Sequence, residues 1–216
     1  MRTSLRVVLT PALLTAAAFA GVAPPSPHSA ARAAAQPAPG TYRLDPPHTF
    51  ALFAAQHLVV GIVHGRFDKT AGTVVVAKDL ADCTVDITID AASLSTQNTT
   101  RDDDLRGPDF FDAAKFPAVT YRGRGVRRSG NGWVIDGTLT IRGVSKVVPL
   151  TFTFKGTAPA EAGKPIRIAF QATAAVKRAD FNMTRDLLTE IGLQSGKPDV
   201  WLQVDSEALA AATPNP

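Results

Sequence analysis

Hydrophobic and polar residues alternate through most of the chain between residues 41 and 207. In the segment CTVDITID, residues 83–90, every second residue is apolar, and the residues between them are Thr or Asp. This two-residue period is typical of a β-strand that turns one face to the core and the other to water. The same period predicts about eight strands or slightly more, at residues 42–45, 49–57, 65–76, 83–90, 119–126, 133–141, 148–154, 166–176 and 200–206.

Short connections join these strands, and Asn131-Gly132 within SGNGW predicts a tight hairpin. Short links favour antiparallel neighbours, and many half-buried strands in one domain close into a barrel or pack as a sandwich. The barrel is favoured by small residues at inward positions, because they leave space that one small ligand could fill. These residues are Ala51, Ala55, Ala172 and Ala174, and close packing against large neighbours is the alternative explanation.

Residues 99–117, TTRDDDLRGPDFFDAAKFP, interrupt the alternation. Thr100 is a candidate helix N-cap, and the aspartates that follow Arg101 suit the positive end of a helix dipole. Gly107 and Pro108 are expected to end this helix. The charged half therefore predicts a short surface helix. The aromatic half predicts a plug that folds onto an apolar mouth or seam of the barrel, formed by Phe110, Phe111 and Phe116.

Five segments carry a family resemblance, and together they cover about residues 41–207. They are YRLDPPHTFALFAAQH at 42–57, GRFDKTAGTV at 65–74, RDDDLRGPDFFDAAKFP at 101–117, GTLTIRGVSKVVPLTF at 137–152 and KRADFNM at 177–183. In this order and spacing they resemble the YceI-like family of exported lipid-binding proteins. Thr49 stands where Ser is usual, and Asn182 stands where Gly is usual. Because Asn tolerates a left-handed backbone, the turn at Asn182 is still expected to form.

The resemblance implies an all-β fold, an extended eight-stranded antiparallel barrel of lipocalin-like architecture with a short helix between strands. It also implies non-enzymatic binding, carriage or storage of a long isoprenoid lipid in the lumen, either a polyisoprenoid or an isoprenoid quinone. Each buried methylene is worth about 0.8 kcal/mol, so a few isoprene units supply about 8 kcal/mol after the cost of association. That corresponds to micromolar affinity and predicts selection by chain length rather than by head group.

Nine residues are candidates for lining the lumen or closing its mouth: Phe53, Ala55, His57, Phe67, Phe110, Phe111, Phe116, Trp133 and Phe170. An ordinary role in the core is the alternative for each aromatic residue among them. Five charged residues are interpreted as a lattice of ion pairs that holds the helix and neighbouring turns, with a head-group clamp as the alternative. They are Arg101, Asp102, Arg106, Arg178 and Asp180.

No catalytic residue, metal site or cofactor is predicted. A three-histidine site made by His48, His57 and His64 would need an irregular strand, because positions nine apart lie on opposite faces of a regular one. Two other functions stay open beside the lipid carrier. One is an enzyme acting on a lipid or quinone with His57 as acid or base, and the other is a ligand-free binding module.

The N-terminal 20 residues predict a signal peptide. Arg2 and Arg6 precede an apolar run from residue 7 to residue 20, and the cut could fall as late as residue 33. An uncleaved anchor is the alternative, although the run is short for a spanning helix. Residues 21–40 are Ala/Pro-rich and predict a disordered spacer, and residues 208–216 predict a frayed tail. The protein is therefore expected in the periplasm or cell envelope, or outside the cell.

A formal net charge of +4 is too small to indicate a nucleic-acid partner. Four arginines, at 122, 124, 127 and 128, are interpreted as a solvated hairpin end, with transient contact to anionic lipid at a membrane surface as the sharper alternative. Cys83 is the single cysteine, so no internal disulfide can form, and its place in an alternating strand predicts a small buried side chain. Whether the protein forms a homodimer stays open.

Overall fold

The computed structural model describes residues 36–57, 61–130, 132–159, 161–183 and 200–211. Within these residues the chain forms one α-helix, α1 (Thr99–Arg106), three short 3₁₀ helices (Leu80–Asp82, Ala91–Ser93 and Arg178–Phe181) and ten strands. The strands are β1 (Gly40–His57), β2 (Gly61–Phe67), β3 (Thr70–Val76), β4 (Thr84–Asp90), β5 (Leu94–Ser95), β6 (Ala118–Ser129), β7 (Gly132–Ile141), β8 (Val144–Thr157), β9 (Arg167–Val176) and β10 (Val200–Ala210).

Eight of these strands close into an antiparallel barrel, so the predicted fold class is confirmed. The order around the barrel is β1-β3-β4-β6-β7-β8-β9-β10, and pairing of β10 with β1 closes it. Inward residues form two apolar clusters, because side chains alternate along each strand, and Ile89, Phe111, Val200 and Leu202 pack against both clusters. The largest side chains that are almost wholly buried are Tyr42, Leu94, Ile168 and Phe181.

The long strand β1 is irregular where two prolines fall. Its register against β10 shifts between Leu44 and Thr49, the segment that contains Pro46-Pro47. Proline lacks the N–H that a sheet needs, so a bulge is the expected response. The Thr49 hydroxyl donates to the Asp45 carbonyl at 2.9 Å and lies 2.8 Å from the Ser206 hydroxyl. The Thr at position 49 thus makes the hydroxyl contacts that a Ser could make.

The two ends of the barrel differ. The end where β1 begins is called here the N-terminal mouth, and the end where β1 finishes is called the helix-side mouth. At the helix-side mouth, β2 pairs with β1 on one edge and only with the two-residue strand β5 on the other. This leaves a gap in the wall between β2 and β6, and the segment 91–117 with α1 fills it.

The ordered barrel extends past both predicted boundaries. β1 begins at Gly40, and the Tyr42 hydroxyl donates to the Ala38 carbonyl at 2.8 Å, so residues 36–40 of the expected spacer pack on the domain. β10 continues to Ala210, and Ala208 is fully buried although it lies in the expected tail. The signal-peptide prediction falls on residues 1–20, outside the described residues.

Two local predictions are confirmed. Asn182 has a φ of 58° and a ψ of 26°, the left-handed conformation expected of the residue that replaces Gly there. Cys83 is buried, with 8% of its surface exposed. Of the helices that the structure describes, none has the length and apolar character needed to cross a membrane.

Candidate functional site

The barrel lumen is hollow and contains two neighbouring cavities. The helix-side cavity has a volume of about 140 Å³, and the N-terminal cavity has a volume of about 110 Å³. Apolar side chains from all eight barrel strands line one or both of them. The four alanines predicted to leave space face these cavities: Ala51, Ala55 and Ala174 line the helix-side cavity, and Ala172 lines the N-terminal cavity.

Seven of the nine predicted lumen residues line a cavity. The helix-side cavity is lined by Phe53, Ala55, Phe67, Phe110 and Phe111, and the N-terminal cavity is lined by Trp133 and Phe170.

His57 and Phe116 are not among the described residues that line either cavity. His57 is exposed at the end of β1. Phe116 packs instead against the β7–β8 turn, where its Cε1 lies 3.0 Å from an ideal Cβ placed on Gly143.

A chain of aromatic contacts explains what the phenylalanines after α1 are buried against. The Phe111 ring meets the Phe67 ring edge-on, with centroids 5.4 Å apart, and Phe67 meets Phe53 at 5.6 Å. Edge-to-face pairs add stability beyond the area that they bury. Gly65 makes room for this chain, because a Cβ there would lie 2.2 Å from Cζ of Phe53. The aromatic half of the segment therefore seals the wall gap beside the helix-side cavity.

The charged half of the segment holds that plug in place. Helix α1 begins at Thr99 and is capped by Asn98, whose side-chain oxygen accepts from the Arg101 amide at 3.0 Å, so the predicted cap at Thr100 is wrong by two residues. Asp102 is 6% exposed and accepts from the Thr96 amide at 2.8 Å and from the Thr96 hydroxyl. The same hydroxyl accepts from Arg101 Nε at 2.7 Å. Arg101 and Asp102 thus act together through a shared threonine.

Arg106 secures the other end of α1. Its Nε donates to the Ala92 carbonyl at 3.0 Å, one terminal nitrogen donates to the Leu94 carbonyl, and the other pairs with Asp103 at 3.1 Å. Hydrogen bonds from a guanidinium to backbone carbonyls fix position as well as adding stability. The lattice predicted for this motif consists mainly of such contacts to backbone and hydroxyl groups.

Arg142 is a structural residue that the sequence analysis missed. It lies in the β7–β8 turn with a φ of 50°, followed by Gly143 with a φ of 72°, as a type I′ turn requires. Its guanidinium donates to the Asn182 carbonyl at 2.7 Å and to the Pro108 carbonyl at 2.8 Å. It therefore ties the turn, the plug and the end of the 3₁₀ helix together at the helix-side mouth. No local pattern marks this role, because its partners are 34 and 40 residues away.

The other predicted motif residues lie near the same mouth. Arg178 is half-buried and lines the helix-side cavity, where it is one of few polar side chains. Asp180 is exposed on the 3₁₀ helix that Arg178 begins. The structure therefore places the two residues in different surroundings although they belong to one sequence motif.

The histidines considered for a metal site are spread along the sheet. His48 lies in the middle of β1, whereas His57 is its last residue, nine positions further along the strand. His48 Nδ1 instead lies 2.8 Å from Asp45 Oδ2. Asp45, His48 and Glu207 have ligand atoms within 4.8 Å of one another. The Arg167 guanidinium forms ion pairs with the carboxylates of both Asp45 and Glu207, and so places a positive charge beside them.

Acid is expected to destabilise the barrel through Asp45. The hydrogen bond from Arg167 holds the pKa of Asp45 below its usual value of 3.8, although burial opposes this. A carboxyl with a lowered folded pKa contributes stability that is present above pH 3.8 and is lost as the pH falls through the folded pKa. The free energy of unfolding, measured with urea at a series of pH values from neutral to acid, should fall more steeply with decreasing pH for wild type than for Asp45→Asn. Asp104→Asn, on the exposed face of α1, should follow wild type; a wild-type slope for Asp45→Asn would contradict the assignment.

The arginine-rich hairpin end is balanced by other side chains. Three of its arginines pair with aspartates, and the fourth lies over an aromatic ring. The contacts are Arg122 with Asp86 at 3.1 Å, Arg124 with Asp82 at 2.8 Å, Arg127 with Asp136 at 3.2 Å, and Arg128 over Trp133 at 4.3 Å. Such exposed pairs contribute little stability, but they reduce the positive charge offered to an anionic surface.

Comparison with known proteins agrees with this geometry. A family model described as a YceI-like domain matches residues 42–208. The chain belongs to the YceI-like family. Among its curated relatives, a UPF0312 protein of Photorhabdus laumondii is 32% identical over 167 residues, which covers 76% of this chain and 84% of the relative. A UPF0312 protein of Yersinia pestis is 34% identical over 141 residues, which covers 65% of this chain and 73% of the relative.

Solved structures of other proteins share the barrel fold. A YceI protein from Campylobacter jejuni is 31% identical, with a TM-score of 0.60 over 72% of this chain and 90% of that one. A protein described as a polyisoprenoid binding domain from Saccharophagus degradans is 19% identical, with a TM-score of 0.58 over 79% of this chain and 98% of that one. At that identity the second likeness shows the fold alone.

Proposed function

We propose that this YceI-like protein binds a lipid in its barrel lumen, and that the ligand is an isoprenoid which the protein carries or stores without catalysis. The observation that carries the proposal is the pair of apolar cavities inside a closed barrel. An apolar chain gains free energy in such a lumen in proportion to the carbon that it buries. The description of the Saccharophagus neighbour as polyisoprenoid-binding supports the choice of ligand class.

The cavity volumes limit how much chain fits without adjustment. An apolar cavity of about 150 Å³ holds a ligand the size of benzene. At about 140 Å³ and 110 Å³, each cavity has room for about one isoprene unit. A long chain must therefore push lumen side chains apart, and part of its burial free energy is spent on that rearrangement.

The enzyme alternative is weaker than the carrier. Its acid or base was His57, which is exposed and is not among the described residues lining the cavities. A lipid head group held in the lumen would therefore not meet the His57 imidazole in this conformation. The ligand-free module would require a lumen filled by its own side chains, whereas the described residues leave two cavities.

The first test is native mass spectrometry of the protein isolated from its source cells, followed by solvent extraction and identification of the lipid. We expect one isoprenoid per chain. Protein that arrives empty and also fails to take up added isoprenoids would contradict the proposal. N-terminal sequencing of the same material tests export, because a cleaved signal peptide predicts a mature chain beginning between residues 21 and 34.

A matched pair of variants tests whether the lumen is the site. Ala55 lines the helix-side cavity, whereas its neighbour Ala54 pairs with exposed Trp201 and faces outward. Ala55→Phe should fill the cavity and reduce lipid uptake at least ~10-fold, because the added ring occupies the space that the chain needs. Ala54→Phe should leave uptake unchanged. Equal uptake by both folded variants would place the ligand outside the lumen.

A further inference from the structure

Three side chains line both cavities and so form the boundary between them. They are Ile87 on β4, Leu150 on β8 and Val204 on β10. Around the barrel, one strand lies between β8 and β10. Two strands lie between β4 and β8, and two lie between β10 and β4. Three apolar side chains therefore project inward from almost evenly spaced points of the wall. These three residues are called here the collar.

The wall beside the collar is built from small residues at several points. Val204 pairs with Ala172 on one neighbouring strand and with Ala51 on the other. Ile87 pairs with Tyr121 on β6 and with Gly72 on β3, where an added Cβ would lie 3.2 Å from Ile87 Cγ1, so its surroundings are tightly packed. The small neighbours of Val204 therefore leave room at one side of the collar, and the collar side chains narrow the passage there.

We propose that the collar sets the chain length of the lipid that the protein selects. The inference rests on the proposed function. A chain of a single isoprene unit fits in one cavity and ends at the collar. A longer chain must part Ile87, Leu150 and Val204 to reach the second cavity, and it gains affinity only when it is long enough to fill the space beyond. The selected ligand is then an isoprenoid that spans both cavities.

The protein's own N-terminal segment partly covers the far end of this path. Gln36 and Pro37 line the N-terminal cavity, just before β1 begins. The bond from the Tyr42 hydroxyl to the Ala38 carbonyl holds this segment against the mouth. A chain that has passed the collar therefore meets a partly covered end, so the collar is the main barrier that a long chain must pass.

The experiment measures binding of dimethylallyl alcohol, geraniol, farnesol and geranylgeraniol, which share one head group and contain an increasing number of isoprene units. Wild type should bind geraniol at least ~10-fold more tightly than dimethylallyl alcohol, because the second isoprene unit of geraniol enters the second cavity. Leu150→Phe should weaken geraniol and the longer prenols ~10- to 100-fold and change dimethylallyl alcohol by less than ~3-fold. Leu150→Met, which conserves volume, should keep the wild-type profile.

The outcomes distinguish failure of the collar proposal from failure of lipid binding in the lumen. If Leu150→Phe weakens every prenol equally, or if the affinity of wild type does not depend on chain length, the collar proposal is wrong although the protein still binds lipid. Absence of binding of any prenol to wild type would overturn the proposed function as well. If Leu150→Phe does not fold, Leu150→Ala decides: widening the collar should relieve the penalty for long chains, and an unchanged profile would reject the proposal.

Discussion

Replacing Asp102 with Ala is expected to lower the free energy of unfolding by about 3 kcal/mol. The Asp102 carboxylate is almost fully buried and accepts from both the amide and the hydroxyl of Thr96, which is itself 7% exposed. The alanine variant leaves those two donors without their acceptor in a buried place. Each buried donor that loses its partner costs about 1–3 kcal/mol, and more when the lost acceptor is charged. Urea unfolding followed by circular dichroism measures the change.

Two controls separate this role from general effects on α1. Asp102→Asn keeps an oxygen in the place of the acceptor and should lose about half as much stability. Asp104→Ala changes an exposed aspartate on the same helix and should stay within about 0.5 kcal/mol of wild type. Were Asp102→Ala as stable as Asp104→Ala, the hydrogen bonds to Thr96 would not be what anchors the helix.

Loss of this anchor is also expected to affect the lumen. The segment that α1 begins carries Phe111, which packs edge-on against Phe67 and covers the helix-side cavity. If α1 loosens, Phe111 loses its fixed position. We therefore expect Asp102→Ala to raise the rate of lipid release under conditions in which the protein remains folded, while Asp104→Ala does not.

The barrel could be predicted from the sequence because its signal is local. Alternation within each strand identifies inward positions, and the alanines at 51, 55, 172 and 174 line the cavities as that pattern requires. The helix could also be predicted from the sequence, although its N-cap is Asn98 rather than Thr100. Both residue types cap helices well, so propensity alone does not choose between positions this close.

The arrangement of the site could not be predicted in the same way because its contacts are long-range. Phe111 meets Phe67, and Arg142 reaches Pro108 and Asn182, across separations that no periodic pattern encodes. The division of the lumen depends on three strands that are distant in sequence. Phe116 was predicted to lie at the lumen because it is aromatic, but its ring packs beside Gly143 in the β7–β8 turn instead.

Replacing Gly137 with Ala is expected to cost about 3 kcal/mol of unfolding free energy. A Cβ at Gly137 would lie 2.4 Å from Cζ of Tyr121, so the buried ring would have to move. The Tyr121 hydroxyl lies 2.9 Å from the Ile135 carbonyl and 3.0 Å from the Val148 carbonyl, and donates its proton between them. Burial raises the pKa of Tyr121 to about 12, so the hydroxyl keeps its proton well into the alkaline range. Displacing the ring therefore adds a lost buried hydrogen bond to the cost of overpacking.

A double-mutant cycle tests this cause directly. If the added methyl acts by displacing the Tyr121 ring, Gly137→Ala should cost much less in a Tyr121→Ala background, where no ring is left to move. Gly61→Ala serves as the matched control, because among the described residues the nearest heavy atom to a Cβ there is the His57 carbonyl oxygen at 3.8 Å. We expect it to change stability by less than about 1 kcal/mol. Because Tyr121 also lines the helix-side cavity, a displaced ring would enter the lumen and weaken lipid binding. Additive effects in the cycle would show that Gly137 and Tyr121 act independently and would remove this link between the wall and the lumen.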